Sequence, residues 1–129
     1  YLMGIGTPEY ILEAVENGID LFDCVFPTRT ARNGLLFTAR GPLAIKKAQY
    51  ERDFGPIDPA CSCRVCRNYT RSYLRHLYKN QEILYAMLAT YHNLFFLNDL
   101  VRKTRLAIEN GDFTGFKRSF LAAYRSPAE

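Results

Sequence analysis

An α/β fold is predicted by three features of this 129-residue sequence. A strand, a helix and a second strand follow one another at the start, a β-hairpin comes next, and from residue 67 onward the pattern is helical. With 48% apolar residues, the chain is expected to bury a core as one domain at most. No run of about 20 apolar residues occurs, so a membrane-spanning helix is not expected.

The opening βαβ unit is predicted from its boundary residues. Residues 2–6 form a short apolar segment ending in glycines, and Thr7 followed by Pro8 is typical of a helix start. The helix is expected to end before Gly18, a residue that tolerates the left-handed conformation. Residues 19–26 are mostly apolar and predict a buried strand stopped by Pro27. Two strands joined in this way are expected to be parallel neighbours.

The remaining elements follow from turn residues and helical periodicity. Residues 35–38 and 43–45 flank a turn at 39–42 and predict a hairpin. After a polar stretch and a cysteine cluster, three helices are expected, over residues 67–80, 81–109 and 113–124.

Charge is distributed unevenly along the chain, although the net charge is only +4. Residues 1–27 carry five acidic residues and no Lys or Arg, whereas residues 28–79 carry eleven Lys and Arg against three acidic residues. Such a basic block favours a polyanionic partner. A solvated helix face is the alternative interpretation.

The most specific chemistry lies in Cys61, Cys63 and Cys66. Three thiols within six residues cannot all pair with one another, whereas thiolates at this spacing match a tetrahedral metal ion, with zinc as the default. A disulfide interpretation leaves one thiol over, and no secretory context is visible.

The fourth ligand must come from Cys24, His76 or His92. Cys24 fits its strand as a small apolar residue, and His76 lies on a basic amphipathic helix. His92 lies within a long apolar helix, where an unpaired imidazole is costly to bury. A core histidine bonded to a backbone carbonyl is the alternative, but we predict one zinc ion per chain held by Cys61, Cys63, Cys66 and His92. With four protein ligands the ion is expected to be structural.

Asp23 is the second candidate functional residue. It shares a strand face with Leu21 and Val25, near the end of the predicted second strand, where a lone buried carboxylate is costly unless it is hydrogen-bonded. Active sites of parallel α/β folds gather at the carboxyl ends of strands. From its position alone, Asp23 is either an acceptor for loop amides or a functional group.

Four motifs in order carry a family resemblance. They are Phe-Asp-Cys-Val-Phe-Pro-Thr-Arg at 22–29, Arg-Asn-Gly at 32–34, Cys-x-Cys-x2-Cys at 61–66 and Tyr-His-Asn at 91–93. Together they resemble the C-terminal part of the bacterial, queuosine-forming tRNA-guanine transglycosylase (queuine tRNA-ribosyltransferase) family. The similarity runs essentially from end to end.

The resemblance implies the C-terminal portion of a (β/α)8 TIM barrel with an inserted zinc-binding subdomain and C-terminal helices. Its divisions are a last βαβ unit at 1–34, the zinc-binding subdomain at 35–95 and closing helices at 96–129. A whole barrel takes about 250 residues. The chain is therefore expected to be a fragment, inactive alone, whose general acid/base and base-reading residues precede Tyr1.

The implied activity is a glycosyl transfer in tRNA processing. Guanine at the anticodon wobble position is exchanged for a free 7-deazaguanine base through a covalent aspartyl-ribose intermediate. Asp23 is the implied nucleophile, and Met3 and Gly4 the implied base pocket. The implied partners are the tRNA anticodon loop and the free base, and a cytoplasmic location is expected. The implied RNA-binding residues are Gly4, Ile5, Gly6, Thr7, Pro8, Glu9, Tyr10, Thr28, Arg29, Thr30, Ala31 and Arg32.

Physical reasons support both RNA-binding segments. A glycine loop that opens a helix directs N–H groups and a positive dipole end toward a phosphate. Arg29 and Arg32 place guanidinium groups beside the nucleophile, where they suit phosphates or unstacked bases.

Two further interpretations accompany this one. A non-catalytic zinc-containing RNA-binding module is the alternative function, because no acid/base partner for Asp23 is found in the chain. A homodimer through helix 67–80 is also expected, because Tyr69, Tyr73, His76 and Leu77 share a face of that helix. Packing of that face against the protein's own barrel is the alternative.

Overall fold

A computed structural model describes residues 1–126. Its architecture is mixed α/β, and no helix within the described range is long and apolar enough to cross a membrane. The elements in chain order are β1 (Leu2–Met3), α1 (Pro8–Glu16), β2 (Phe22–Asp23), α2 (Phe26–Arg32), β3 (Leu35–Thr38), β4 (Gly41–Ala44), a 3₁₀ turn (Ala48–Tyr50), α3 (Arg64–Asn68), α4 (Arg71–Lys79), α5 (Ile83–Glu109) and α6 (Phe113–Tyr124).

The predicted βαβ unit is present. Strands β1 and β2 pair in parallel, with Leu2 opposite Phe22 and Met3 opposite Asp23. Thr7 caps α1 by accepting a hydrogen bond from the Tyr10 N–H, with Pro8 at the first helical position as predicted. Both strands are only two residues long, shorter than the sequence pattern indicates.

The prediction of a strand over residues 19–26 is wrong at its end. Phe26 already belongs to α2, and Pro27 lies in the first turn of this helix, where the missing N–H of proline has no cost. The prediction that this strand is buried is also wrong for one face: Leu21 is 61% and Val25 66% exposed. No element among residues 1–126 covers these two side chains.

The hairpin is confirmed, with β3 antiparallel to β4, but the turn predicted at 39–42 is shorter, because Gly41 and Pro42 already belong to β4 and pair with Thr38 and Phe37. The predicted helix over residues 67–80 is instead two helices, because Tyr69 is extended and Thr70 caps α4 through the Tyr73 N–H at 3.1 Å. The face predicted for dimerisation is divided accordingly. Leu77 is buried in the core, Tyr69 precedes α4, and Tyr73 and His76 are exposed.

Helix α5 passes through two apolar clusters. Its first half packs with α4 and the hairpin, and its second half packs with α1 and α6. Because α5 is continuous from residue 83 to 109, it crosses the expected division at residue 95, and the three divisions stay a prediction; residues 127–129 of the last one lie outside the described range. Central members of the two clusters are Leu36, Leu74, Leu77 and Leu88, and Leu12, Phe37, Phe96 and Leu100.

Candidate functional site

A cluster of three thiols and one imidazole forms the candidate metal centre. Cys61 lies in the loop before α3, Cys63 caps that helix, Cys66 lies within it, and His92 comes from the middle of α5. The His92 Nδ1 atom is 3.9, 3.5 and 3.4 Å from the Sγ atoms of Cys61, Cys63 and Cys66. All four candidate ligand atoms lie within 4.8 Å of one another.

These distances fit a tetrahedral ion. Bonds of about 2.3 Å to sulfur and 2.0 Å to nitrogen at the tetrahedral angle place ligand sulfur and nitrogen about 3.5 Å apart. The observed separations lie on either side of this value. Hydrogen bonds with Cys61 and Cys66 lower the pKa of the Cys63 thiol, whereas hydrogen bonds with Cys61 and Cys63, together with burial, raise the pKa of the Cys66 thiol. A bound metal ion would favour the thiolate at all three positions.

His92 is oriented by its second ring nitrogen. The Nε2 atom lies 2.7 Å from the carbonyl oxygen of Phe37 and is assigned as the donor, since a carbonyl can only accept. Nδ1 then faces the thiols and becomes a ligand atom once it gives up its proton, as metal binding requires. The two interpretations that the sequence leaves open, a carbonyl-bonded core histidine and a metal ligand, are therefore compatible in one side chain.

The other two candidates for the fourth ligand are engaged elsewhere. The Sγ atom of Cys24 accepts a hydrogen bond from the Phe26 N–H at 3.3 Å. His76 is exposed and pairs with Asn80, four residues further along α4.

Asp58, which the sequence analysis did not single out, positions the loop that carries Cys61. It is 4% exposed, and its two carboxylate oxygens accept hydrogen bonds from the N–H groups of Ala39 at 2.8 Å and Ala60 at 2.9 Å. The hairpin turn is thereby attached to the residue just before Cys61. Asp58 lies in a polar stretch, and nothing in the sequence distinguishes it there as a structural residue.

Asp23 lies at the exposed face of the β1–β2 pair, directly opposite Met3. Its carbonyl oxygen accepts a hydrogen bond from the Gly4 N–H at 2.9 Å, which attaches the glycine loop to the end of β2. Met3 is 73% exposed beside it. The predicted nucleophile and the predicted base-pocket residues are therefore neighbours.

Tyr1 is a site residue that the sequence analysis missed. Its hydroxyl donates a hydrogen bond to Asp23 Oδ1 at 2.6 Å, and this bond raises the pKa of the Tyr1 hydroxyl. The signal was present: the two-residue period of a strand places Tyr1 on the same face as Met3.

The predicted RNA-binding segments contain both exposed and buried residues. Arg29 and Arg32 are exposed near the end of α2. Three other members, Gly6, Pro8 and Ala31, are buried and form the support of these segments. The start of α1 is less suited to a phosphate than predicted, because the Thr7 hydroxyl already accepts from the Tyr10 N–H and Glu9 adds a carboxylate in the first turn.

Comparison with known proteins agrees with the motifs. The family model described as queuine tRNA-ribosyltransferase matches residues 1–126. The chain belongs to this family. Similar curated proteins named queuine tRNA-ribosyltransferase come from Treponema denticola (60% identical over 126 residues), Caldanaerobacter subterraneus (56% over 124) and Halothermothrix orenii (53% over 128).

These alignments cover nearly all of this chain, 98%, 96% and 99% respectively. They cover only 33%, 33% and 34% of the relatives. The chain thus spans about one third of the length of the curated relatives that it matches. The resemblance stated from the sequence motifs is confirmed at the level of the family.

Proposed function

We propose that this chain is the C-terminal third of a cytoplasmic tRNA-guanine transglycosylase, in which Asp23 attacks the ribose of the wobble nucleotide. The observation that carries the proposal is the exposed Asp23 carboxylate at the end of β2, opposite Met3 and bonded to Tyr1, in a chain that matches the family throughout. The reaction exchanges guanine for a free 7-deazaguanine base.

The chemistry assigned to Asp23 proceeds in two displacements. A carboxylate oxygen attacks C1′ of the ribose, the bond between C1′ and the guanine nitrogen breaks, and its electron pair leaves with guanine, which takes up a proton. A ring nitrogen of the incoming base then attacks C1′, loses its proton, and the carboxylate leaves. Such covalent catalysis replaces one difficult step by two easier ones, as in retaining glycosidases. The proton donor, a second aspartate, would come from the part of the protein outside this chain.

Residues around Asp23 suit a nucleoside. The Tyr1 hydroxyl holds Oδ1, which orients the carboxylate. Met3 leaves its apolar side chain exposed opposite Asp23, and a polarisable Met side chain can cover one face of a purine-like ring. Arg29 and Arg32, six and nine residues after Asp23, then provide charge for the anticodon loop.

A TIM barrel is the architecture that we propose for the whole protein. Parallel two-residue strands with an exposed apolar face are not stable as an isolated sheet, and Leu21 and Val25 need a cover. The curated relatives are about three times as long as this chain, which leaves room for the other strands. In a closed barrel, the free edges of β1 and β2 each pair with a further strand. A structure of the full-length protein in which both edges remain unpaired would contradict this architecture.

The metal at the Cys61 cluster is proposed to be zinc with a structural role. All four positions are filled by protein side chains, so none is left for water or substrate. These ligands join the loop before α3 to the middle of α5. When bound, zinc would supply a fixed crosslink and no chemistry of its own.

A homodimer through the outer face of α4 belongs to the same proposal. Tyr73 is 41% exposed there, and the neighbouring Phe54 is 75% exposed beside the same groove. Exposed aromatic rings of this kind suit an interface between two copies.

The test uses the full-length protein, a tRNA with guanine at the wobble position and a radiolabelled free base. We expect Asp23→Asn to abolish base incorporation, since the amide is a poor nucleophile, while tRNA affinity is retained. The matched control is Asp20→Asn, an exposed aspartate on the same segment, which should incorporate base at the wild-type rate. Replacing Arg29 and Arg32 together by Ala should instead weaken tRNA binding.

Normal incorporation by Asp23→Asn would contradict the assigned nucleophile. Binding of tRNA by the wild-type protein without any base exchange would favour the non-catalytic RNA-binding module instead.

A further inference from the structure

We propose that Asn93 is a positioning residue that fixes the segment following the nucleophile to the helix of the metal centre. The inference rests on the function proposed for Asp23. It concerns a side chain that is neither a ligand nor in contact with substrate.

Asn93 is fully buried, and both polar atoms of its carboxamide, Oδ1 and Nδ2, are hydrogen-bonded. Its Oδ1 accepts a hydrogen bond from the Phe37 N–H at 3.0 Å. Its Nδ2 donates to the carbonyl oxygens of Pro27 at 3.0 Å and Leu35 at 3.1 Å. One side chain of α5 thus joins α2 and β3, elements more than fifty residues away along the chain.

The Phe37 N–H and the Leu35 carbonyl have no partner within the hairpin, whereas the Pro27 carbonyl of α2 also accepts a hydrogen bond from the Thr30 hydroxyl at 3.3 Å. The Ile45 N–H donates to Gly34 O at 2.9 Å, so alternate pairs of the ladder are hydrogen-bonded, and Leu35 and Phe37 lie between them with their N–H and carbonyl groups directed away from β4. Strand β3 has a hairpin partner on that one side only. Buried edge groups without partners are destabilising. Asn93 and the preceding His92 replace a third strand, since one accepts from the Phe37 N–H and the other donates to the Phe37 carbonyl.

The bond to Pro27 gives Asn93 its relation to the nucleophile. Pro27 is the second residue of α2, four residues after Asp23. Gly6 of the glycine loop packs against the same place: a Cβ added at Gly6 would lie 3.2 Å from Pro27 Cδ and 2.7 Å from Cys24 Cβ. The nucleophile strand, the glycine loop and the helix carrying Arg29 therefore meet at the residue whose carbonyl Asn93 holds.

His92 and Asn93 are consecutive, so the metal centre and this junction share one turn of α5. The ligand cluster fixes His92, and the hydrogen bonds of Asn93 extend that fixed point to the start of α2. The expected consequence of losing the Asn93 amide is a displaced Asp23 in a protein that still binds metal and tRNA. Misplacement of a reacting group by about 1 Å can lower a rate on the order of 100-fold.

The experiment compares Asn93→Leu with Asn98→Leu in the full-length enzyme. Asn98 lies on the same helix, but its Nδ2 donates only to Leu94 O, one turn earlier in α5. For Asn93→Leu we expect about one metal ion per chain by elemental analysis, KM for tRNA near the wild-type value, and kcat for base exchange lower by at least about 10-fold. Asn98→Leu should match the wild type in all three.

A residue needed only for stability would lower the melting temperature and leave kcat of the folded enzyme unchanged. That result with Asn93→Leu would overturn the proposal. If Asn93→Leu does not fold, Asn93→Asp decides, because it keeps an acceptor for the Phe37 N–H and removes the donor to the carbonyls of Pro27 and Leu35. An unchanged kcat in Asn93→Asp would overturn the proposal equally.

Hydrogen–deuterium exchange separates this proposal from the function on which it rests. The amides of α2 should exchange faster in Asn93→Leu than in Asn98→Leu, whether or not the protein transfers a base. Suppose that the wild-type protein transfers no base, while the α2 amides of Asn93→Leu still exchange hydrogen faster than those of Asn98→Leu. That result would contradict the proposed function but support the role of Asn93 in holding α2. Unchanged hydrogen exchange of the α2 amides in Asn93→Leu would contradict the positioning role of Asn93 itself.

Discussion

His92 shows how one residue serves the core and the candidate metal centre together. Its ring is fully buried, with Nε2 bonded to Phe37 and Nδ1 directed at three sulfurs. A buried imidazole is costly when either nitrogen lacks a partner. The arrangement satisfies both nitrogens only if the thiols act as co-ligands or as hydrogen-bond partners.

The assignment predicts that His92→Ala removes the metal. Losing a ligand should weaken binding by more than the 10–100-fold that is typical of losing an outer-shell partner, on the order of 1000-fold. Zinc content after dialysis against a chelator of known affinity measures the effect. The matched control is His76→Ala, whose imidazole is exposed on α4 and should leave zinc content unchanged. Zinc retention by His92→Ala would contradict the ligand set.

At this scale the sequence predicts residues that belong to a spaced motif and misses isolated ones. The thiol spacing indicates a metal site, and position in a strand indicates Asp23. Asp58 and Asn93 are single polar residues whose partners lie 19 and up to 66 positions away, so no local pattern announces them. Their role depends on which backbone groups the fold leaves without partners.

At the scale of elements, Arg71 fixes the connection between the hairpin and the cysteine loop, although by sequence it is one member of the basic block at 28–79. The Arg71 guanidinium pairs with Asp53 at 2.9 Å and also donates to the carbonyl oxygen of Ile57. It also lies over the Tyr50 ring, 5.5 Å from the centroid. Arg71 therefore fixes the loop rather than serving as a free cation for RNA.

The Asp53–Arg71 pair predicts a pH-dependent contribution to stability. Burial raises the pKa of Asp53, but hydrogen bonds from Gly55 and Arg71 outweigh it and leave this pKa below its ordinary value of 3.8. A lowered folded-state pKa stabilises the protein above pH 3.8, and the stabilisation is lost as pH falls through the folded-state value. Asp53→Asn should cost roughly 1 kcal/mol at pH 7, and the difference from wild type should shrink below pH 3.8.

Urea unfolding at several pH values measures this difference, with the exposed Asp20→Asn as the control. A gap between wild type and Asp53→Asn that is constant down to pH 3 would show that the ion pair is not its origin.

Two elements differ from the sequence-based expectation for identifiable reasons. Pro27 is compatible with a strand end and with the first turn of a helix, and the preceding apolar run favoured the strand. Between α3 and α4 the apolar spacing continues across the extended Tyr69, so periodicity alone does not reveal the break. The cap of α1 and the presence of the hairpin, in contrast, have specific residue signatures that predict them, although β4 begins at Gly41, inside the predicted turn.

At the scale of the whole molecule, exposed apolar side chains mark two surfaces. One surrounds Asp23 and includes Leu21, Val25 and Leu94, where the remainder of the proposed barrel would pack. The other is the groove beside α4, with Phe54 and Tyr73. The second surface lies away from Asp23, and the proposed dimer would form there.

Dimerisation through this groove predicts that replacing Phe54 and Tyr73 together by Ala converts a dimer into a monomer. Both rings are exposed, so the change should leave the core intact. Light scattering of the full-length protein measures the mass, and Met87→Ala, an exposed apolar residue of α5, is the control. A monomeric wild type, or a double variant of unchanged dimeric mass, would contradict this interface.

The covalent step at Asp23 is tested most directly by trapping the intermediate. Full-length protein is incubated with tRNA, denatured, and separated on a gel, and the protein–RNA species is digested and mapped by mass spectrometry. We expect a species with the combined mass of one chain and one tRNA, modified at Asp23, present in Asp20→Asn and missing from Asp23→Asn. A modification on any other residue, or an undiminished species in Asp23→Asn, would contradict the proposed role of Asp23.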